Sequence, residues 1–215
     1  MKKLIIFDLD GTLADTQPLL FHIFTDSLND CGFSVTHEEI CAISAGNNFS
    51  PVYGGHTPND YLDRVPENYG EIFWSNYDNY YIKAVGRLYS GIRETLDGLK
   101  ERGYPLALLS NKPHRYTYPI IMKAFGEGYF TMVEGGSDKF AKKPAPDGIL
   151  YICERLGISP SDTYMIGDLP ADYLAAKRAN SNFIAAGWGY GLNELKKLGA
   201  TVFAEKPIEL LNILK

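Results

Sequence analysis

The chain has 215 residues, 45% of them hydrophobic, a formal net charge of -5 and an isoelectric point near 5.4. That length can bury one sizeable core with a modest appendage, while the acidic balance disfavours non-specific nucleic-acid binding and points to a small-molecule partner. No apolar stretch reaches the roughly 18 residues of a membrane span, and Cys31, Cys41 and Cys153, odd in number and without metal-type spacing, read as packing residues in a reducing cytoplasm.

Met1-Lys2-Lys3 runs straight into the apolar strand Leu4-Ile5-Ile6-Phe7 with no signal-peptide pattern, so a cytoplasmic protein is expected. Asp8-Leu9-Asp10-Gly11-Thr12 follows at once. Two carboxylates at the end of a buried strand are costly unless a cation or a reaction requires them. Residues two apart in a strand share a face, which would set Asp8 and Asp10 roughly 6.6 Å apart along it. Gly11 permits a tight turn, and Thr12 adds a hydroxyl. Like charges this close raise each other's pKa, and a hard, oxygen-preferring cation such as Mg²⁺ reverses that effect. Asp and Thr also make good helix caps, so the pentad alone leaves both readings open.

Asp15-Thr16-Gln17-Pro18 predicts a capped helix start, after which Leu20, Phe24 and Leu28 recur at helical spacing until Gly32. Ser44 to Asp63, rich in Gly, Asn, Pro and Ser, reads as loop. Tyr69, Phe73, Tyr77 and Tyr81 then fall four apart, a stripe read as packing rather than a substrate cage. From Leu88 strands and helices alternate: helix 91–102, strand 105–110, helix 114–125, strand 131–134, helix 146–156, strand 163–167 and helix 170–179. Strands near 182–186 and 201–204 and a helix from Ile208 complete the chain. This alternation implies an α/β fold, a Rossmann-like doubly wound parallel sheet with helices on both faces.

Polar clusters follow several of these strands. Ser110-Asn111-Lys112 follows the strand from Pro105, Gly167-Asp168-Leu169-Pro170-Ala171-Asp172 follows the one from Thr163, and Lys142-Lys143-Pro144-Ala145-Pro146-Asp147 lies between them. Open parallel sheets bind ligands outside the carboxyl ends of their strands, where such clusters can meet. Lys112 and His114 read as surface residues, and Lys142 as solvated.

With these four motifs in order, and Trp188-Gly189-Tyr190-Gly191 after them, the chain resembles the haloacid dehalogenase superfamily of phosphohydrolases, within it the phosphoglycolate phosphatase-like group. The resemblance implies a core domain of residues 1–13 and 88–215 with a small helical cap, residues 14–87, inserted after the first strand. It implies an Mg²⁺-dependent phosphatase acting on a small phosphorylated metabolite, with no nucleic-acid or membrane partner, as a monomer or weak homodimer. Asp8 would be the nucleophile that forms an aspartyl-phosphate, and Asp10 the general acid and base. Thr12, Ser110, Asn111 and Lys143 would bind the phosphate. Mg²⁺ would be held by Asp8, the backbone carbonyl of Asp10, and Asp168. Asp172 would orient a water on the metal, or serve as a first-turn acid favoured by the helix dipole. Ser44-Ala45-Gly46-Asn47-Asn48 maps to the specificity loop. The alternatives are a β-phosphoglucomutase-like mutase, many of which carry valine in place of Thr12, and a non-catalytic metal-binding module on the same scaffold.

Overall fold

Leu4–Phe7 forms the first strand, β1, and all four of its residues are buried. A strand covered on both faces reads as an unbroken apolar run, which explains the Leu-Ile-Ile-Phe sequence. The computed structural model describes residues 3–36, 38, 66–81, 83 and 87–215. The chain divides into two compact units, Met1–Asp15 with Val85–Lys215, and Thr16–Ala84.

The second unit contains α1 (Gln17–Asp30) and α2 (Tyr69–Tyr80), which pack together. Pro18 fits the first turn of α1, and Thr16 stands at its N-cap position without a side-chain capping bond. The chain leaves the helix through Gly32 at φ +86°. Phe24 meets the edge of Tyr69 at 6.0 Å, Phe73 and Tyr77 are buried, and Tyr77 stacks on Tyr81 at 6.4 Å. The aromatic stripe is therefore packing. The expected loop Ser44–Asp63, the segment Ser44–Asn48 within it, and Cys41 lie outside the described residues.

In the first unit β1 is followed by α3 (Ile92–Glu101), β2 (Leu106–Pro113), α4 (His114–Phe125), β3 (Met132–Gly136), α5 (Asp147–Leu156), β4 (Thr163–Gly167) and α6 (Pro170–Ala179). Then come β5 (Asn182–Ala186), α7 (Leu192–Lys197), β6 (Phe203–Ala204) and α8 (Leu210–Ile213). The six strands pair in parallel in the order β3-β2-β1-β4-β5-β6. Leu4 and Ile6, alternate residues of β1, meet Leu109, Ile149, Ile152, Met165 and Ala175 in one core layer against α5 and α6. The strand order reverses at β1, so the crevice for a ligand lies at its carboxyl end, between β1 and β4. No helix among the described residues is long and apolar enough to cross a membrane.

Two elements differ from expectation. Strand β2 continues past Ser110 to Pro113 through an irregular ladder that leaves β3 at Leu109 and rejoins it where Pro113 meets Gly136. Helix α7 was not anticipated: its six residues are too few to display a helical period, and Leu195, packed with Ala185 and Ala200, supplies its anchor.

Candidate active site

Asp8 extends the first ladder, its N–H donating to the carbonyl of Ile166 at 2.9 Å. The strand then stops. The carbonyl of Leu9 accepts from the N–H groups of Leu13 and Ala14 at 2.9 and 3.0 Å, so a tight turn rather than strand alternation places Asp10. Each acid of the pair has its own cation. Lys143 Nζ lies 2.9 Å from Asp8 Oδ1, whereas Lys112 Nζ donates to both carboxylate oxygens of Asp10 at 2.5 and 2.6 Å. Lys112, expected at the surface, is 1% exposed, because the extension of β2 carries it inward. His114 is half-buried and its Nδ1 accepts from Gly135 N–H, while Lys142 is exposed as expected.

Asp168 follows β4 and is fully buried. Thr12 Oγ1 donates to its Oδ1 at 2.9 Å and Tyr190 N–H to its Oδ2 at 3.0 Å. Gly11, at φ +77°, passes so close that a Cβ there would lie 2.1 Å from Asp168 Oδ2, which is why the turn demands glycine. Asp172 sits in the first turn of α6 and is buried. Its Oδ2 accepts from Leu169 N–H at 3.0 Å at the start of α6, and its Oδ1 accepts from Lys143 Nζ at 2.6 Å.

Lys143 is the hub. Its ammonium also donates to the carbonyl of Leu109 at 2.9 Å. Asn111 grips its main chain from both sides, accepting from Lys143 N–H at 2.9 Å and donating to Lys143 C=O at 2.7 Å. Asn111 and Thr12, expected to bind the phosphate, have their side chains on protein partners instead: the Asn111 amide holds the lysine in place, and Thr12 orients Asp168. Ser110 is buried with Oγ accepting from Lys112 N–H at 3.3 Å, leaving its own proton to donate.

Asp8, Asp168 and Asp172 each offer a carboxylate oxygen within 4.8 Å of the others. Set against the single ammonium of Lys143, three ionised carboxylates leave an excess of two buried negative charges. Such an excess is resolved by protons or by a cation. In the ion-free protein two of these acids hold their protons more tightly than usual. Burial pushes the Asp8 carboxyl up to about 6, opposed by Lys143 and reinforced by Asp172 and Asp10. Burial, with Asp172 and Asp8, holds Asp168 well above the usual carboxylate range against the donors Tyr190 N–H and Thr12. For Lys143 burial pulls downward, but Asp172 and Asp8 outweigh it and raise the ammonium above its ordinary value. Asp8 Oδ1 has its ion pair to Lys143 but no hydrogen bond of acceptable angle among the described residues. An all-oxygen donor set with a double negative excess and an under-used oxygen fits a hard divalent cation.

Beyond Lys112, the aromatics after β5 went unassigned from sequence. Trp188 Nε1 donates to Thr12 C=O at 2.9 Å, and Tyr190 Oη donates to Asp15 Oδ1 at 2.9 Å. Together with Tyr190 N–H on Asp168, they brace the turn after β1 against the end of β4. The Trp-Gly-Tyr-Gly run was the available signal. A cavity of about 660 Å³ lined by Tyr89, Arg93, Glu94 and Leu211, among others, contains none of these carboxylates.

Residues 5–186 match the family model of haloacid dehalogenase-like hydrolases. A phosphoglycolate phosphatase of Haemophilus influenzae strain 86-028NP is 32% identical over 204 residues, covering 89% of this chain and 88% of that one. Among solved structures, a predicted phosphoglycolate phosphatase from Haemophilus somnus superposes with a TM-score of 0.83 at 25% identity, over 100% of this chain and 98% of that one. A Thermotoga maritima protein with a provisional β-phosphoglucomutase name does so with a TM-score of 0.74 at 25% identity, over 100% and 98% of the two chains.

Proposed function

The chain belongs to the haloacid dehalogenase-like hydrolase family, and from that premise we propose that it is an Mg²⁺-dependent phosphatase of small phosphomonoesters, of the phosphoglycolate type. The buried triad of Asp8, Asp168 and Asp172 around Lys143, with its excess of negative charge, carries this reading. We assign the helical unit the family's cap role, and the enzyme a cytoplasmic setting as a monomer or weak homodimer.

Asp8 attacks phosphorus, the ester P–O bond breaks, and Asp10 gives its proton to the departing oxygen. Water then attacks the aspartyl-phosphate, Asp10 takes its proton, and inorganic phosphate leaves. Lys143 and the Ser110 hydroxyl supply the positive charge and the donor that the transferring phosphoryl group requires. Asn111, Thr12, Tyr190 and Trp188 keep those groups in place. Asp8 and Asp168, with the carbonyl of Asp10 and the nearby Asp172, would hold Mg²⁺, which would supply further charge neutralisation during phosphoryl transfer.

The test is phosphate release from a panel of monoesters with and without Mg²⁺, including phosphoglycolate. β-Glucose 1-phosphate, with product analysis, covers the mutase reading that the Thermotoga likeness keeps in play. Mg²⁺-dependent release supports the phosphatase, isomerisation without release supports the mutase, and neither supports a non-catalytic module.

A second expectation concerns pH. A carboxyl whose folded pKa is raised stabilises the fold below its unfolded value and loses that contribution as pH rises through the folded one. For Asp8 that window runs from 3.8 to about 6. Mg²⁺ should therefore raise the melting temperature by about 5 °C near neutral pH and by much less near pH ~5. Equal shifts at the two pH values would place the cation away from these acids.

A further inference from the structure

We infer that Lys112 is a positioning residue that holds Asp10 for its proton exchange with the leaving group, an inference that rests on the phosphatase reading. Its side chain is 0% exposed, and that of Asp10 is 16% exposed. Taking an ammonium out of water costs several kcal/mol unless it is paired, and here the pairing goes to both oxygens of one carboxylate, at 2.5 and 2.6 Å. The base of the lysine is fixed from three sides. Its N–H donates to Ser110 Oγ at 3.3 Å, and its carbonyl accepts from Thr117 Oγ1 at 2.9 Å. Gly135 of β3 passes so close that a Cβ there would lie 2.7 Å from that carbonyl. An ammonium anchored on a strand thus holds a carboxylate that sits on a turn.

The two acids of the pentad perform different tasks and have different lysines. Asp8 must present an electron pair to phosphorus, and Lys143 ties it to Asp172. Asp10 must release and recover a proton. When the bond from Asp8 to phosphorus forms, the ester bond breaks, its electron pair stays on the leaving oxygen, and that oxygen takes the Asp10 proton. Lys112 then stands against the carboxylate that remains, and in each proton exchange one of the two oxygens leaves Nζ to give up or take the proton while the other stays on it. The competing account makes Lys112 a passive counter-charge in an acidic site.

The two accounts separate on the leaving group. Departure of an alkoxide needs the proton from Asp10, whereas p-nitrophenolate leaves as a stable anion, and kcat/KM reports the steps through aspartyl-phosphate formation. With Mg²⁺ present, Lys112→Met should lower kcat/KM for an alkyl phosphomonoester about 100-fold, a loss about ten times larger than for p-nitrophenyl phosphate. In an Asp10→Asn background the same change should cost less than about threefold, because the two residues act as one unit. Lys112→Arg, which keeps the charge, should recover part of the alkyl activity and show the same split in weaker form, and it carries the test should Lys112→Met fail to fold. Parallel losses on both substrates, or full additivity with Asp10→Asn, would overturn the inference while leaving an active phosphatase. A wild-type protein that releases phosphate from neither substrate would remove the phosphatase reading and this inference with it.

Discussion

Asp8→Asn is expected to lower phosphate release roughly 10³-fold or more while leaving a folded protein whose ion-free melting temperature is equal to or above that of the wild type. The first half follows from chemistry, because an amide cannot form the acyl-phosphate. The second follows from electrostatics. The Asp8 carboxyl is buried, its pKa is pushed up to about 6, and its Oδ1 has no well-directed hydrogen bond. The amide is nearly isosteric and removes one charge from a site with two too many. Lys143 keeps Asp172 and the Leu109 carbonyl. Thermal melts with and without Mg²⁺ beside a phosphate-release assay would check both halves. The cation-induced rise in melting temperature should shrink, since one of three clustered carboxylates is lost. Turnover retained in this variant would remove Asp8 from the nucleophile's role.

Lys143→Met is expected to do the opposite to stability and the same to activity. Without the ammonium, Asp8, Asp168 and Asp172 face one another with no cation, and the Leu109 carbonyl loses a donor. Removing one partner of a buried pair costs about 3–5 kcal/mol, so ion-free melting should fall by roughly 10 °C. Mg²⁺ should recover much of that loss by replacing the missing positive charge. It should not recover phosphate release, because the donor to the phosphoryl oxygens stays absent and a loss of roughly 10²-fold or more remains. Denaturant melts at matched pH with and without Mg²⁺ would read the first effect and an enzyme assay the second. A variant as stable as the wild type in ion-free buffer would mean that this lysine does not hold the acids together.

Strands whose burial is written into composition were legible in advance. Leu4–Phe7, Thr163–Gly167 and Asn182–Ala186 lie where apolar runs predicted them, because central parallel strands are covered on both faces. The first part of β2 was legible in the same way but its end was not, since Ser110-Asn111-Lys112 reads as a polar exit from the sheet and yet continues within it to Pro113. That misreading and the surface assignment of Lys112 have one cause. Polarity is a good guide to exposure until a countercharge waits inside, and the partner, Asp10, lies 102 residues away in sequence. Asn111 carries the same lesson, because its contact with the Lys143 main chain spans 32 residues and cannot be read from either neighbourhood.

What residue order alone determined is the set of chemical groups: acids at the ends of apolar strands, a lysine before proline, a glycine in the first turn, and the alternation that makes the sheet parallel. Periodicity and local turn chemistry act over a few residues, so a single pass along the chain can recover them. The tertiary structure alone decided who pairs with whom. It put Lys143 between Asp8 and Asp172, set Lys112 on Asp10, and closed Thr12 and Tyr190 over Asp168. Those choices depend on distances between strands that lie side by side at the sheet's reversal point, and on the cost of leaving charge unmatched away from water.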